Sequence, residues 1–427
     1  MASPAAGSQR SFLHSVGRTA GFNLTTTALG AVNGVFLARW LGPSGRGDYA
    51  AVMAYFGLSL VVFELGLGSS VVYHVSKYRS ARADYVKTAS VLLVPLALVA
   101  GLVAVVMGVF VFGDSPSRRA AFVVLPLSVA ICFAGAPASF ALQSLHLTQW
   151  NLVRLSQSIV FTLLIIAAHS ITTVGVVLVV NLMAGTFAVQ SVLAWWFYTR
   201  AGSPRARYQR KQVRPLLRFG VLNMSSTAPN ALNSRLDQLV LALLVSSAAL
   251  GQYAVAVSLS VLAGPLVMAF GHVAFPGLAR GERVVGTIKT TIKGSIAVSV
   301  VSLALILAAG PFVVPVLFGP GYSSVTVLLL VLAPGAAVVV VNQVLGDVLR
   351  GLGRPGSVAV CEWVGIVSTV AGLVVLVPHL GVMGAALTST TTYGAVFVLL
   401  LRFVSKQVRV RSRNHPDDVL AVRKANE

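Results

Sequence analysis

Charged residues are scarce in this sequence. Only 10% of its 427 residues are charged and only 11 are acidic, whereas 56% are hydrophobic and the mean hydropathy is +0.85. Soluble proteins carry about 25% charged residues, so this composition excludes a water-soluble surface. Long apolar stretches recur along the whole chain, and a helix that crosses a bilayer needs about 20 such residues. The sequence therefore predicts an all-α integral membrane protein.

Motifs for catalysis and for metal binding are also missing. The two cysteines, Cys132 and Cys361, each lie in a predicted span, and no Cys/His grouping has metal-ligand spacing. The sequence contains no phosphate-binding GxxxxGK[ST] loop and no nucleophile elbow. We therefore expect no catalytic residue, no metal and no bound cofactor, which leaves a proton or sodium gradient as the energy source to consider.

Hydropathy predicts twelve spans, six in each half of the chain. The first six lie near residues 16–38, 49–72, 90–112, 120–142, 152–169 and 173–198. The second six lie near residues 216–244, 251–275, 293–318, 324–348, 357–377 and 382–403. Because twelve is even, both termini lie on the same side of the membrane.

The net charge of +21 reports orientation rather than a nucleic-acid partner. With the termini in the cytoplasm, 27 of the 32 basic residues fall on the inner side and four on the outer side. That bias follows the positive-inside rule, so we expect both termini to be cytoplasmic. The basic segments at 203–218 and 404–413 are also suited to binding anionic membrane lipids.

The two halves of the sequence are similar. NLTTTALGAVNG (23–34) aligns with NMSSTAPNALNS (223–234), GDYA (47–50) with GQYA (251–254), and VFGDSPS (111–117) with LFGPGYS (317–323). This duplication predicts two pseudo-symmetric six-helix bundles, residues 1–205 and 206–427. Transporters built from such repeats bind their substrates between the halves.

Polar residues fall on one face of span one and on one face of span seven. Such faces avoid lipid tails, because unpaired polar groups in hydrocarbon cost several kcal/mol. We expect these faces to line a shared substrate cavity; the alternative is that they only join helices. The candidate cavity residues are Asn23, Thr27, Asn33, Asn223, Thr227, Asn230, Asn233, Arg235 and Asp237.

Ionisable residues within or near the spans are candidates for ion coupling or for buried ion pairs. Glu64 lies inside span two, and Asp347 and Glu362 lie near inner helix ends. Arg235 lies deep in span seven but points away from its polar face, so it could bind a phosphate group or pair with Asp237 or Glu64.

Three segments resemble polysaccharide-exporting flippases. ARWLGPSGRGDYAAVMAYFGLSLVVFELGLGSSVVY (38–73) resembles the family's ARxLGPxxxGxY and ELGLG-like segments, and NSRLDQLVLALLVSSAALGQYAVAVSL (233–259) resembles its RLD and ALGxYAxA segments. RGLGRPG (350–356) is a third such element. The resemblance covers essentially the whole chain and is to the Wzx-type branch of the exporter superfamily that also contains MATE transporters.

The resemblance implies a MATE-like fold and a transporter rather than an enzyme. Members move a lipid-linked oligosaccharide, a polyprenyl-pyrophosphate glycan, from the cytoplasmic to the outer leaflet by alternating access during cell-surface polysaccharide biosynthesis. It implies partners among membrane lipids and polysaccharide assembly proteins, and no nucleic acid. Arg18 and Arg39, near opposite ends of span one, are expected to add positive potential at the two cavity entrances.

Other functions remain open at this point. A MATE-type drug or cation antiporter would have more cavity carboxylates and aromatic residues, and a lipid II flippase would have extra spans and a more basic cavity. A polysaccharide polymerase or ligase would need a large outer loop with catalytic residues, and every predicted outer loop is short. The Arg-, Ala- and Val-rich composition favours a bacterial source and hence the bacterial inner membrane.

Overall fold

The computed structural model describes residues 4–111, 115–200, 206–280 and 284–414. Within these ranges the description omits the side chains of 4–20, 225–227, 230, 272, 273, 275–277, 279, 280 and 411–414. The described chain is almost entirely helical and contains no strand. It forms two compact units, Met1–Ala228 and Pro229–Glu427, whose division falls within a helix, Arg210–Leu244.

Twelve α-helices follow one another along the described chain. The first six are α1 (Pro4–Phe63), α2 (Leu67–Lys77), α3 (Arg82–Val106), α4 (Pro116–Leu145), α5 (Leu147–Ile171) and α6 (Val176–Arg200). The next six are α7 (Arg210–Leu244), α8 (Ser247–Ser260), α9 (Gly264–Arg280), α10 (Val284–Phe318), α11 (Ser323–Gly351) and α12 (Pro355–Asn414). Short 3-10 turns at Arg79–Ala81 and Pro320–Tyr322 precede α3 and α11.

Glycines divide the two longest helices into arms. Gly42 in α1 has φ +66° and Gly381 in α12 has φ +56°, a left-handed conformation that only glycine adopts without strain. Each break is therefore a turn between two spans.

By length and composition, seven described helices could cross a membrane, or nine if each of two bent pairs, α1 with α2 and α8 with α9, is one span. Counting the arms of α1 and α12 separately and adding the more polar α7 gives the twelve predicted spans. The predicted fold class, a helical membrane protein built from two six-helix repeats, is confirmed.

One helix lies at the centre of each unit. In the first unit α4 packs against α1, α2, α3, α5 and α6, and in the second α11 packs against α8, α9, α10 and α12. These helices correspond to the fourth span of each repeat. Both are rich in buried small residues, which allow neighbouring helices to approach closely in a membrane.

The duplication is visible in individual contacts around these central helices. In the first unit the Ser191 hydroxyl donates to the carbonyl of Ile131 on α4. In the second unit the Thr390 hydroxyl donates to the carbonyl of Val331 on α11, the residue 200 positions after Ile131. A Cβ atom on Gly135 would lie 2.1 Å from Ser191 Oγ, and one on Gly335 would lie 2.5 Å from Thr390 Oγ1. An equivalent glycine and an equivalent hydroxyl–carbonyl hydrogen bond therefore join the fourth span to the sixth span in each repeat.

A second pair of matching contacts lies at the predicted outer end. Asp48 accepts hydrogen bonds from the hydroxyls of Ser115 and Ser117 at the start of α4. Its counterpart in the aligned GQYA segment, Gln252, donates from Nε2 to the carbonyl of Gly321, 3.1 Å away. In the first repeat only, Asp48 also forms a buried ion pair, 3.0 Å long, with Arg118.

Loss of the Asp48 carboxylate is expected to destabilise the first unit strongly. Asp48→Ala leaves the Arg118 guanidinium, whose side chain is 2% exposed, without its countercharge, which costs about 3–5 kcal/mol for a buried pair. Asp347→Ala is the matched control because it breaks a more exposed pair with Arg350, worth about 0–1 kcal/mol. Thermal unfolding of the purified variants in one detergent compares them, and equal small losses would contradict a stabilising role for the buried pair.

Candidate functional site

The polar face of α1 lies in the first unit and is partly bonded within it. Thr27 donates its hydroxyl to the carbonyl of Asn23, one turn earlier. Asn33 is only 7% exposed, and its side-chain oxygen has no hydrogen-bond partner among the described residues. The side chain of Arg18 lies outside the described residues, and Arg39 is exposed. This face therefore retains unused hydrogen-bonding capacity.

An arginine from α5 contacts this face. Arg154 Nη1 donates to the side-chain oxygen of Asn23 at 3.2 Å, and the guanidinium carbon lies 4.5 Å from the ring centre of Trp150. Arg154 is half-buried, and among the described residues no carboxylate lies within ion-pair distance of it. The charge of Arg154 is thus held in place by an amide and an aromatic ring but is not neutralised.

Sequence reasoning did not assign Arg154 to the site. It was counted only among the inner basic residues that set orientation. One signal was present, because Trp150 precedes Arg154 by four residues and the two share a helix face. Its contact with Asn23 could not be predicted, since it joins residues 131 positions apart.

The polar residues of α7 are divided between the two units. Asn223 Nδ2 donates to Ser69 Oγ of α2 at 2.9 Å in the first unit. In the second unit, Asn233 accepts from the Thr369 hydroxyl at 2.7 Å. Asp237 accepts there from the Tyr253 hydroxyl at 2.6 Å.

Asn233 and Asp237 are both buried by these partners. Arg235 is exposed, and the side chains of Thr227 and Asn230 lie outside the described residues. The described contacts of Asn233 and Asp237 join α7 to α12 and α8, which is the helix-joining alternative. The shared cavity itself stays a prediction.

The candidate coupling carboxylates occupy three different environments. Glu64 Oε1 accepts from the backbone N–H of Gly68 at 2.6 Å, so it caps the start of α2. Asp347 pairs with Arg350 at 2.9 Å, and Glu362 is buried in α12. In the described part of the chain no cluster of three or more His, Cys, Asp or Glu residues is arranged to bind a metal.

A groove of about 600 Å³ opens beside α2 in the first unit. Its lining combines aromatic, amide and hydroxyl side chains with one lysine. The lining residues are Ser69, Val72, Tyr73, Ser76, Lys77, Phe140, Gln143, Phe219 and Asn223. None of these was predicted as a site residue except Asn223.

Two glycines bring α7 against α2 at this groove. A Cβ atom on Gly66 would lie 2.2 Å from the carbonyl oxygen of Gly220, and one on Gly220 would lie 2.5 Å from that of Leu65. Backbone therefore touches backbone, which places the neighbours of Gly220 in the groove: Phe219 stacks on Tyr73 and Asn223 bonds to Ser69. The ELGLG-like segment of the sequence supplies this crossing point.

Comparison with known proteins identifies the family. The sequence profile described as "Polysaccharide biosynthesis protein" matches residues 12–282, more than half of the chain. The chain belongs to the polysaccharide biosynthesis protein family. This finding confirms the resemblance noted in residues 38–73 and 233–259.

Two curated relatives of this family member are archaeal membrane proteins. An uncharacterized membrane protein of Methanocaldococcus jannaschii is 21% identical over 84% of this chain and 77% of its own length. The probable low-salt glycan biosynthesis flippase Agl15 of Haloferax volcanii is 19% identical over 88% of this chain and 80% of its own length.

Solved transporters share the fold of this family member. The lipid II flippase MurJ, in an inward closed conformation, has a TM-score of 0.74 at 12% identity, covering 90% of this chain and 87% of MurJ. An inward-facing multidrug MATE transporter of the MOP superfamily has a TM-score of 0.67 at 15% identity, covering 92% of this chain and 95% of the transporter. These likenesses confirm the MATE-like fold that the sequence predicts.

A side chain at the glycine crossing is expected to separate α2 from α7. Gly220→Ala should lower the thermal unfolding midpoint by several degrees in detergent, because its Cβ would collide with the carbonyl of Leu65. Gly185→Ala is the matched control, since the space around Gly185 is open. If Gly220→Ala melts with the control, the backbone contact described here is wrong.

Proposed function

We propose that this protein moves a lipid-linked oligosaccharide from the inner to the outer leaflet of the plasma membrane by alternating access. Membership of the polysaccharide biosynthesis protein family and similarity to an archaeal relative named as a glycan biosynthesis flippase support this function. The substrate is a glycan joined to a polyprenyl carrier through a pyrophosphate. The protein functions with polysaccharide assembly proteins that make and use that glycan.

The physical task follows from the substrate. Sugar hydroxyls and a pyrophosphate cannot enter hydrocarbon without losing their hydrogen bonds to water, at several kcal/mol for each polar group and more for each charge. A path lined by protein donors and cations replaces that water, while the apolar carrier stays in the bilayer. The site must therefore offer hydrogen bonds and positive charge at membrane depth.

Arg154 is the observation that carries the proposal. A half-buried guanidinium with no carboxylate partner in the described chain keeps its positive charge available for an anion. Asn23 and Trp150 fix its orientation, so little side-chain freedom is lost when a phosphate binds. Two parallel N–H donors of a guanidinium match phosphate oxygens in geometry. Under the proposed orientation Arg154 faces the inner leaflet, where the substrate is made.

The proposed location is a bacterial inner membrane with both termini in the cytoplasm. The bias of 27 inner to four outer basic residues supports that orientation. The outer four include Arg118, which is already neutralised by Asp48, so the charge available on the outer side is smaller still.

Transport against a gradient requires an energy source, and we propose that a cation gradient supplies it. Asp237 supports this idea because its carboxylate is buried among hydroxyls: Tyr253 donates to it, and Ser389 lies 3.5 Å from the Tyr253 hydroxyl. Binding or release of one cation there changes the charge of the buried site where α7, α8 and α12 meet. Asp347 is less suited, since Arg350 already forms an ion pair with it.

Reconstitution in liposomes tests the proposal. Wild-type protein should expose a fluorescent polyprenyl-pyrophosphate glycan to a membrane-impermeant quencher faster than empty liposomes do. Arg154→Gln should slow transport about ten-fold, because a charged hydrogen bond to the substrate is lost. Arg119→Gln, at the predicted outer side, is the control of equal charge change.

The same assay tests the other arginines that the sequence predicts to contact or attract the substrate. Arg18→Glu and Arg39→Glu should slow transport if they attract the substrate to the entrances, and Arg235→Ala should slow it if Arg235 binds phosphate. Wild-type protein that is no faster than empty liposomes would refute the proposed function. Export of a cationic dye in place of the glycan would favour a MATE-type antiporter.

A further inference from the structure

We propose that the groove beside α2 binds the glycan headgroup, with Tyr73 stacking on a sugar ring and Lys77 binding the adjoining phosphate. The inference rests on the proposed function and assigns a substrate contact to residues outside the predicted cavity. The groove volume, about 600 Å³, is within the range of about 300–1,000 Å³ typical of small-molecule sites.

The aromatic floor of the groove is fixed. Tyr73 and Phe219 are stacked with ring centres 4.3 Å apart and planes 15° apart. Behind them the buried His74 packs against Phe219 and Tyr85. Tyr73 is nevertheless 39% exposed, so part of its ring remains available in the groove.

A rigid aromatic ring of this kind suits a sugar. Its face is electron-rich and attracts weakly positive groups such as the C–H bonds on one side of a sugar ring. Because the ring is already held by its neighbours, binding orders little that was mobile before.

The polar lining suits the sugar hydroxyls. Amide groups come from Asn223 and Gln143, and hydroxyls come from Ser69 and Ser76. Asn223 is already oriented by its bond to Ser69, and Ser76 lies 2.6 Å from the hydroxyl of Ser144. Amides and hydroxyls both donate and accept, as hydroxyl-rich ligands require.

The charge of the groove favours an anion. Lys77 Nζ donates to the Tyr73 hydroxyl at 3.0 Å and lies 5.3 Å from the centre of that ring and 5.4 Å from that of Tyr78. No carboxylate is among the described residues that line the groove. Lys77 would therefore repel a cationic drug and attract the phosphate that joins a glycan to its lipid.

Lys77 ends α2 and lies in the segment that the sequence places on the inner side between spans two and three, residues 73–89. Under the proposed orientation the groove lies at the cytoplasmic surface, where the glycan of a newly made substrate is located. A lipid-linked substrate could keep its carrier in the bilayer while its headgroup occupies the groove.

Transport kinetics in liposomes with the full-length protein test this site. Tyr73→Ala and Lys77→Gln should each raise the half-saturating concentration of the fluorescent polyprenyl-pyrophosphate glycan about ten-fold, with the maximal rate changed less than two-fold. Tyr208→Ala and Lys87→Gln alter an exposed tyrosine and an exposed lysine outside the groove and should change neither value. Lys77→Gln also covers the case in which Tyr73→Ala fails to fold, because the Lys77 side chain is exposed.

A photo-crosslinking amino acid at Gln143 provides a binding readout that does not depend on transport. In otherwise wild-type protein this residue should crosslink to the glycan lipid, and the crosslinking yield should fall about ten-fold when Lys77→Gln is also present. If wild-type protein transports the glycan and neither half-saturation nor labelling changes in the variants, the groove is not the headgroup site and the proposed function stands. If wild-type protein neither transports nor crosslinks the glycan, both proposals fail.

Discussion

A bilayer interior cannot hydrogen-bond, and the described polar contacts follow from that constraint. Many polar side chains in the spans and at their ends bond to partners inside their own unit, for example Asp48 to Arg118, Asn233 to Thr369 and Asp237 to Tyr253. These contacts join helices, and of the cations among them Arg118 is neutralised by Asp48. Arg154 differs, because its described partners are an amide oxygen and an aromatic ring, neither of which cancels its charge. A polar lipid headgroup is the kind of ligand for which such a charge is useful.

Because the chain is duplicated, the same kind of helix contact occurs in both repeats. Gly135 and Gly335 each admit a hydroxyl side chain from the sixth span of their repeat, and the bonds at Ser191 and Thr390 correspond. Differences between the repeats are then informative. Asp48 with Arg118 forms an ion pair where Gln252 forms only a neutral hydrogen bond. In α1, the side-chain oxygen of Asn33 has no partner among the described residues, whereas that of its counterpart Asn233 accepts from Thr369.

Much of this architecture could be predicted from the sequence because hydropathy and internal repeats can be recognised without knowing which residues are in contact. Span number, the repeat and the family followed from residues such as those of 23–34 and 38–73. The site could not be predicted to the same degree, because polar periodicity marks a face but not its partner. Asn233 is predicted to line a cavity, and its bond to Thr369, 136 positions away, has no signal in the sequence. The groove required the Gly66–Gly220 contact, which has no signature in either segment alone.

The central claim is that the protein carries a lipid-linked glycan between leaflets, and depletion of the protein in the cell that makes it tests that claim most directly. Spheroplasts are treated with a membrane-impermeant oxidant of sugar diols, and the fraction of lipid-linked glycan that reacts is measured. Depletion should make the glycan lipid accumulate and should lower its oxidised fraction, because the sugars stay in the inner leaflet. An unchanged oxidised fraction after depletion would contradict the account.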